Sequence, residues 1–415
     1  MTRIIPFKGI LYNTERINVE DVLAPPYDII TPELREELYN KSPYNIVRID
    51  FGKDFPNDNS IENKYTRAKK LLKEWLLNKI LIQNNEPSFY AYSIEFVHNG
   101  IKKSIIGFLG LVRLEELGKG NIYPHECTYS KPKKDRLNLL KECKANTSPI
   151  FSLYRSDEMR THNTLLDISM NQKPYIVAKD KDGFIHRLWQ IKNKKEIEII
   201  TNELEDKPIF IADGHHRYET AYELHKEMKK SFPNRKTLPS DYVLMFLVNM
   251  HDKGITILPT HRLIKDMPKN IETLFSNYFD INPIKEDFNV EKFLLNKKGH
   301  FGFFENKEEL WYLLRYRGGN LNEVHPDVRD IDVIILHELI LKKLLHTIDI
   351  GYEMNIDNAL SKVRAGEYNA VFFLNPTTVD DVEKAALSLT RMPPKSTYFY
   401  PKLLTGLVIN KWGSD

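Results

Sequence analysis

The sequence contains little cysteine and no long apolar run. Of its 415 residues only two are cysteines, Cys127 and Cys143, too few and too far apart for a CxxC metal or redox motif. No run approaches the roughly 20 apolar residues needed to span a bilayer. The N-terminal segment MTRIIPFKGI also lacks the apolar stretch and cleavage site of a secretory signal. We therefore expect a cytoplasmic protein with reduced thiols and no membrane partner.

An excess of charge of one sign is missing as well. The chain has 60 Lys and Arg residues against 57 Asp and Glu residues, which gives a net charge of +3. So small an excess provides no broad positive field for nucleic acid, and no clear helix-turn-helix module with a basic face is present. The composition therefore argues against nucleic acid as a partner.

Several catalytic motifs are absent. There is no GxxxxGK[ST] phosphate loop, no GxGxxG after a strand and no GxSxG nucleophile elbow. His337-Glu338 fails as HExxH because residue 341 is Leu, and His125-Glu126 fails in the same way. These absences argue against P-loop, Rossmann, α/β-hydrolase and zinc-hydrolase chemistry.

The patterns that are present predict hairpins interspersed with helices. FYAYSIEF and IKKSIIGFLGLV flank His98-Asn99-Gly100, and Asn-Gly favours the positive φ angles of a type I′ turn. Further hairpins are predicted around Asp182-Gly183, around His251–Gly254, and between FGFFE and LWYLLRY. Thr31 before Pro32 indicates a helix start, and an apolar-rich helix is predicted around Ile331–Leu345. This mixture favours an α+β fold over a doubly wound parallel sheet.

One polar segment divides the chain. Ser231–Ser240, SFPNRKTLPS, contains two prolines and is either a linker or a surface loop within one domain. Taking it as a linker, we predict a first domain over residues 1–232 and a second α+β domain over residues 233–415. The second domain would contribute the loop MPPKSTYFYPK.

The most informative segment is PIFIADGHHRYETA, Pro208–Ala221. IFIA predicts a buried strand and Tyr218 onward predicts a helix. A strand that turns through Gly214 into a helix presents backbone N–H groups and the positive end of a helix dipole, which suits phosphate. Arg217 would add a bidentate donor. Asp213 could hold Mg²⁺ or accept a proton. The alternative is structural, with Asp213 as a helix cap and the histidines as packing residues.

Four other loops place polar side chains beside prolines or strand ends. Each has a structural alternative, either a rigid turn or a solvated charged face. Together they offer the cations, hydroxyls and carboxylates that a phosphoryl-transfer site requires. The side chains concerned are Tyr27 and Asp28; His125, Glu126 and Arg136; His261 and Arg262; and Lys395, Ser396 and Thr397.

Five segments, in order, resemble a known family. LAPPYDII, HECTYSKPKKDRLNLL, SPIFSLY, ADGHHRYETA and MPPKSTYFYPKL are similar to the domain-of-unknown-function family 1015, over nearly the whole chain. That family is distantly related to ParB, sulfiredoxin and free-serine kinases. The resemblance implies a ParB/sulfiredoxin-like core carrying a strand–DGHHR–helix phosphate turn.

Within that superfamily, the details of the turn favour the kinases. Gly214 to Arg217, with Ala221, is similar to the Gly-x-x-Arg turn that holds nucleotide phosphates in ParB-like domains. The Asp213–Arg217 pattern resembles the free-serine kinases more than ParB, and histidine stands where sulfiredoxin has its reactive cysteine. Cys127 departs from the family, in which this position is often basic.

The resemblance implies a phosphotransferase acting on the hydroxyl of free serine, or the reverse reaction on phosphoserine. The expected cofactors are Mg²⁺ and ATP or ADP, with pyrophosphate as another donor. The alternatives are a ParB-like nucleotide-binding, DNA-associated regulator and a non-catalytic small-molecule sensor. The implied site residues are, for catalysis, Glu126, His125, Asp213, His215 and His216; for metal, Asp213; for the donor, Gly214, Arg217, Arg136, Lys395, Ser396 and Thr397; and for the substrate, Tyr27, Asp28, His261 and Arg262.

Overall fold

A computed structural model describes residues 2–127, 130–268, 271–284, 289–306, 309–347 and 349–413, without the side chains of 130–132. Its chain forms two compact units. Unit 1 takes the described residues of 1–123, 128–255 and 401–415, and unit 2 takes those of 124–127 and 256–400. The boundary predicted from the sequence follows residue 232. The division by contacts follows Ile255, because strand 242–249 lies inside the main sheet of unit 1, so the segment Ser231–Ser240 is a loop within that unit.

Unit 1 is built around a sheet in which nine strands are described, with the order β6-β11-β8-β12-β5-β4-β10-β9 and β1 paired to β5. Two small sheets, β2-β3 and β7-β21, accompany it. The strands are β1 (Ile4–Ile5), β2 (Ile10–Tyr12), β3 (Leu81–Gln83), β4 (Phe89–His98), β5 (Ile101–Arg113), β6 (Ile122–Pro124), β7 (Ala145–Asn146), β8 (Ile150–Tyr154), β9 (Ile176–Lys179), β10 (Ile185–Ile191), β11 (Ile209–Asp213), β12 (Tyr242–Asn249) and β21 (Asn410–Lys411).

The helices of unit 1 supply the rest of its core. They are α1 (Pro32–Lys41), α2 (Val47–Asp50), α3 (Lys64–Leu77), α4 (Ser130–Cys143), α5 (Arg160–Asn171), α6 (Lys194–Leu204) and α7 (His215–Ser231). The predicted start of α1 is confirmed, since the Thr31 side chain accepts a hydrogen bond from the Leu34 N–H at 3.2 Å. Apolar side chains from α5, α6 and α7 pack with those of the central strands in one buried cluster.

Unit 2 has its own sheet, with the order β15-β17-β16-β19-β14-β18, and a separate β13-β20 pair. Its strands and helices are β13 (Thr256–Leu258), β14 (His261–Ile264), α8 (Ile271–Phe275), β15 (Phe279–Ile284), α9 (Val290–Leu294), β16 (His300–Glu305), β17 (Leu310–Tyr316), α10 (Asp332–Ile334), a π-helix (Ile335–Leu344), β18 (Ile350–Glu353), α11 (Ile356–Arg364), β19 (Ala370–Phe373), α12 (Val379–Leu387) and β20 (Tyr398–Tyr400). Across the described parts of both units, helices and antiparallel pairs are mixed, so the predicted α+β class is confirmed.

Three of the four predicted hairpins are confirmed. β4 and β5 pair with His98 opposite Ile101, and Asn99 and Gly100 have φ angles of 49° and 74°. β9 pairs with β10, and β16 with β17. The hairpin predicted around His251–Gly254 is wrong. β12 pairs with β5 on one side and β8 on the other, so it has no free edge, and β13 pairs with β20 instead.

Within the described part of the chain, no helix combines the length and apolarity that crossing a membrane requires.

The pairing of β5 with β12 leaves no room for a side chain at Gly107. An added Cβ would lie 2.5 Å from the carbonyl oxygen of Leu247 and 2.7 Å from side-chain atoms of Phe246 and Val248. We expect Gly107→Ala to lower the free energy of unfolding by about 1–3 kcal/mol or more, because backbone and buried side chains must move. Lys102→Ala is the control on the same strand, since the Lys102 side chain is 75% exposed. Urea denaturation of both variants tests this, and equal midpoints would contradict it.

Candidate functional site

The turn between β11 and α7 requires glycine. β11 ends at Asp213, and α7 begins at His215. Gly214 between them is left-handed, with φ 96° and ψ 27°, a conformation that costs other residues roughly 1–2 kcal/mol. An added Cβ would also lie 2.8 Å from Nε of Arg217. The Arg217 side chain therefore folds back over the turn at the start of the helix.

Two contacts hold Arg217 in this position. Its Nη1 donates to the carbonyl oxygen of Pro149 at 2.5 Å, and its Nη2 lies 3.2 Å from Oδ2 of Asp213. Its buried Nε has no hydrogen-bond partner among the described residues. The Arg217 side chain is only 13% exposed, and these two contacts use two of its five N–H donors.

A second cationic side chain, that of Lys402, lies beside Asp213. Its Nζ lies 3.6 Å from Oδ1 of Asp213, and the lysine side chain is 11% exposed. The one carboxylate thus lies between two cationic groups. His215 is buried and His216 is half-buried in the first turn of α7. The structure therefore brings the five predicted residues of the DGHHR segment together with a lysine from the C-terminal segment.

A buried guanidinium forms the second cluster of unit 1. Arg136 on α4 donates to Oδ2 of Asp135 through Nε and Nη2, at 3.0 and 2.6 Å. Its Nη1 reaches Oδ2 of Asp50 at 3.3 Å, and its Cζ lies 4.2 Å from the centre of the Tyr27 ring. Thr147 donates to the other oxygen of Asp50 at 2.5 Å. Arg136 is therefore enclosed by two carboxylates and an aromatic face.

Charged groups of both the Arg217 cluster and the Arg136 cluster act on the phenol of Tyr27. Burial raises the pKa of Tyr27 to about 12, while the charges of Arg136 and Arg217 act to lower it and those of Asp28 and Asp213 act to raise it. Four predicted residues thus act on one phenol. Asp28 itself is exposed. A narrow cavity of about 40 Å³ lies nearby, with Arg136, Ser148 and Arg217 among its lining residues, so the predicted Tyr27, Asp28, Arg136, Asp213 and Arg217 belong to one region of unit 1.

The remaining predicted residues belong to unit 2, which forms a polar cluster of its own. The Glu126 carboxylate accepts from both the N–H and the hydroxyl of Thr397, each at 2.8 Å. Nε2 of the fully buried His125 lies 2.9 Å from the same hydroxyl. Ser396 donates to the carbonyl of Pro393 at 2.6 Å. In the segment HECTYSKPKKDRLNLL, which contains His125 and Glu126, Thr128 and Tyr129 lie outside the described residues.

His261 and Arg262 lie at the start of β14, both 1% exposed. Arg262 donates to the carbonyls of Thr260 and Lys395, to the latter at 3.0 Å. Burial, assisted by the positive charge of Arg262, lowers the pKa of His261 to about 3. His261 is therefore neutral, with its ring against Phe373 at 4.9 Å between centroids, and its substrate-binding role stays a prediction.

Sequence reasoning missed three polar residues of the unit 1 region, Asp50, Thr147 and Lys402. Asp50 ends the four-residue helix α2, and Thr147 lies in the loop before β8, where nothing in the local sequence distinguishes them. Lys402 was noticed only as part of the loop MPPKSTYFYPK. Its position one residue after Pro401, at the end of an aromatic-rich run, is too weak a signal to place it at Asp213.

The profile described as protein of unknown function (DUF1015) matches residues 4–334. The chain belongs to the DUF1015 family. None of the curated proteins with which the sequence was compared matches it. The family resemblance expected from the sequence is therefore confirmed, and the relationship to ParB and sulfiredoxin stays a prediction.

Solved structures with partial similarity to this DUF1015 chain include three of note. A free serine kinase in complex with AMP is 13% identical, with 69% of this chain and 92% of that chain covered and a TM-score of 0.35. SbnI with a C-terminal truncation, from Staphylococcus aureus, is 11% identical, with coverage of 72% and 85% and a TM-score of 0.36. A conserved hypothetical protein from Pyrococcus furiosus is 15% identical, with coverage of 67% and 87% and a TM-score of 0.33.

The Asp135–Arg136 pair makes a pH-dependent contribution to stability. Burial acts to raise the pKa of Asp135, but Arg136 and Lys64 outweigh it and hold that pKa below its ordinary value. A carboxyl group with a depressed folded-state pKa stabilises the fold above its unfolded-state pKa, about 3.9. The contribution disappears as the pH falls through the folded-state pKa.

We therefore expect Asp135→Asn to be less stable than the parent chain from about pH 5 upward, and the difference to shrink below about pH 4. Urea midpoints of both chains between pH 3 and pH 7 measure this difference. Asp357→Asn is the control, since Asp357 is an exposed carboxylate of unit 2. A difference for Asp135→Asn that does not change with pH would contradict the ion-pair explanation.

Proposed function

We propose that this DUF1015 protein is a phosphotransferase that transfers a phosphoryl group between a nucleotide and the hydroxyl of free serine, in either direction. The observation that carries the proposal is the turn at Gly214, with Arg217 folded over it. Gly214 has no side chain to cap α7, a 17-residue helix. The N–H groups of its first turn and the positive end of its dipole suit a phosphate group.

Arg217 supplies the directed charge at this turn. Its guanidinium is mostly buried, and a charge-assisted hydrogen bond to phosphate is stronger there than in water. Lys402, whose Nζ lies 3.6 Å from Asp213, adds a point charge. Phosphoryl transfer depends mainly on positioning and on neutralising negative charge, and these two cations can do both.

Asp213 is the residue that would hold Mg²⁺. No cluster of three or more His, Cys, Asp and Glu residues suited to a metal ion occurs among the described residues. Mg²⁺ is commonly bound by one or two carboxylates together with water and phosphate oxygens, so a single carboxylate at a phosphate turn fits it. When bound, Mg²⁺ would neutralise charge on the transferred group.

The remaining roles are assigned by residue type and position. A bond forms between the serine hydroxyl oxygen and phosphorus, the bond from phosphorus to the bridging oxygen of the nucleotide breaks, and the hydroxyl proton goes to a base. The base is Glu126, or else His215 or His216 in the first turn of α7, since a carboxylate or an imidazole is suited to accept that proton. Asp28, an exposed carboxylate beside Tyr27, is suited to the ammonium group of serine.

The first test is ligand-induced stabilisation with Mg²⁺ present. The ligands are ATP, ADP, AMP, CTP, pyrophosphate, L-serine and phosphoserine. Saturation at 100 times Kd stabilises the folded protein by about 2.7 kcal/mol, which raises Tm. We expect a rise with ATP, ADP or pyrophosphate and a further rise with serine or phosphoserine. A response to CTP alone would favour the ParB-like regulator, and a response without turnover would favour the sensor.

Arg217→Ala tests the phosphate turn directly. We expect it to weaken nucleotide binding at least about tenfold, since a charge-assisted hydrogen bond contributes about 1.5–3 kcal/mol. Arg235→Ala is the matched control, because Arg235 is an exposed arginine in the loop after α7. Isothermal titration with ADP and Mg²⁺ measures both variants. Undiminished binding by folded Arg217→Ala would remove the turn from the proposed site.

Glu126→Gln separates a catalytic from a supporting role for Glu126. Glutamine keeps an oxygen that can accept from the N–H of Thr397 but cannot take up a proton. If Glu126 is the base, turnover of serine to phosphoserine falls at least about 100-fold with nucleotide affinity unchanged. Unchanged turnover, measured by phosphoserine formation, would leave Glu126 as the residue that fixes Thr397.

A further inference from the structure

Unit 1 contains a second cavity, which the proposed phosphoryl transfer does not use. Its volume is about 380 Å³, and it is lined by residues of β4, β5, β10, α5 and the loop that follows β12. That volume lies within the range of small-molecule sites. We call it the Asp252 cavity, after the carboxylate at one side of it.

A row of residues across three strands forms its floor. Arg187 on β10 lies opposite Ser93 on β4, and Ser93 lies opposite Ile106 on β5. Residues directly opposite each other in antiparallel strands present their side chains on the same face. Neighbouring strands lie about 4.8 Å apart, so Arg187 and Ile106 are separated by about 10 Å across the sheet.

The buried carboxylate of Asp252 lies beside Ile106, at one end of this row. Asp252 is 6% exposed, and its Oδ2 accepts from the N–H of Ile106 at 3.0 Å. Its Oδ1 accepts from the N–H of Gly254 at 2.7 Å. Two backbone donors fix this carboxylate without supplying a positive charge, and burial raises the pKa of Asp252. A carboxylate has about four acceptor positions, so acceptor capacity remains beyond these two contacts.

The side chain above Asp252 is a histidine. Nδ1 of His162, on α5, lies 3.8 Å from Oδ2 of Asp252, beyond hydrogen-bonding distance. This buried Nδ1 has no hydrogen-bond partner among the described residues. A polar ligand group in the cavity could complete the contacts of both side chains.

The opposite side of the row carries a cation. Nη1 of Arg187 donates to Oε1 of Glu95 at 2.5 Å, and the Arg187 side chain is 27% exposed. An arginine has five N–H donors, so Arg187 can also bind a carboxylate while paired to Glu95. Apolar side chains of Met159, Leu166 and Trp189 line the cavity as well.

We propose that the Asp252 cavity binds a small zwitterion, an α-amino acid with an aliphatic side chain. Asp252 holds the ammonium group, Arg187 holds the carboxylate, and the apolar lining takes up the side chain. The two charged groups belong to opposite ends of a row whose backbone spans about 10 Å from Ile106 to Arg187. Two hydrogen bonds of about 2.8 Å and a ligand as short as an α-amino acid fit within that span. This inference does not depend on the phosphate turn.

The experiment is a titration of the full-length protein with L-leucine, L-valine and L-methionine, by calorimetry and by tryptophan fluorescence, to which Trp189 in the cavity lining contributes. We expect one ligand per chain for at least one of the three. The corresponding amide, which lacks the carboxylate, and the N-acetyl derivative, which lacks the ammonium group, should each bind at least about tenfold more weakly. No binding of any of the three amino acids, or equal binding of the blocked derivatives, overturns the proposal.

Three variants locate the ligand. Leu166→Trp fills the cavity from a side chain that is 37% exposed, and Arg187→Gln removes the cation; both should weaken binding at least about tenfold. Circular dichroism and Tm establish that each is folded. Arg217→Ala should leave this binding unchanged. Binding lost in Arg217→Ala but kept in Leu166→Trp would place the amino acid at the phosphate turn and overturn the proposal. Failure of the nucleotide experiments would leave this result unaffected.

Discussion

The buried guanidinium of Arg136 fixes the N-terminal part of unit 1. Moving a cation out of water costs several kcal/mol unless its partners compensate, and Arg136 obtains compensation from Asp50, Asp135 and the face of Tyr27. These partners come from separate segments of the chain. Through Thr147, which donates to Asp50, the same network reaches the loop before β8. That loop supplies the carbonyl of Pro149 that accepts from Arg217, so the position of Arg217 depends on the burial of Arg136.

Glycine is the second constraint, because β11 passes into α7 through the single residue Gly214. A positive φ at Gly214 lets α7 start at once, and the absence of a Cβ lets the guanidinium of Arg217 lie against the backbone. The helix that follows is anchored by Tyr218, whose hydroxyl donates to the carbonyl of Glu115 at 2.7 Å and accepts from its N–H at 2.9 Å. The turn therefore joins two rigid elements, which is the arrangement that positions a bound group with little reorganisation.

How far the sequence predicts this protein depends on whether the deciding interaction is local. Asn99-Gly100 specifies its hairpin by itself, because the positive φ angles are a property of those two residues. The strand β12 looks equally suited to a hairpin, but its edges are taken by β5 and β8, and no local pattern reveals that pairing. The same contrast holds for the site. The DGHHR turn is visible in five consecutive residues, whereas Asp50 meets Arg136 across 86 residues and Lys402 meets Asp213 only after the C-terminal segment has returned to unit 1.

In the proposed reaction, the charges at the Gly214 turn couple the binding of phosphate to the binding of Mg²⁺. Asp213 lies between Arg217 and Lys402, at 3.2 and 3.6 Å, so without phosphate it serves as the counter-ion that keeps the cations at the turn. A phosphate group that binds Arg217 competes with Asp213 for the same donors, and it is repelled by the carboxylate it displaces. A divalent cation at Asp213 removes that repulsion and attracts the phosphate oxygens. On the proposed function, phosphate and Mg²⁺ therefore strengthen each other's binding, and by thermodynamic linkage the coupling is equal in both directions.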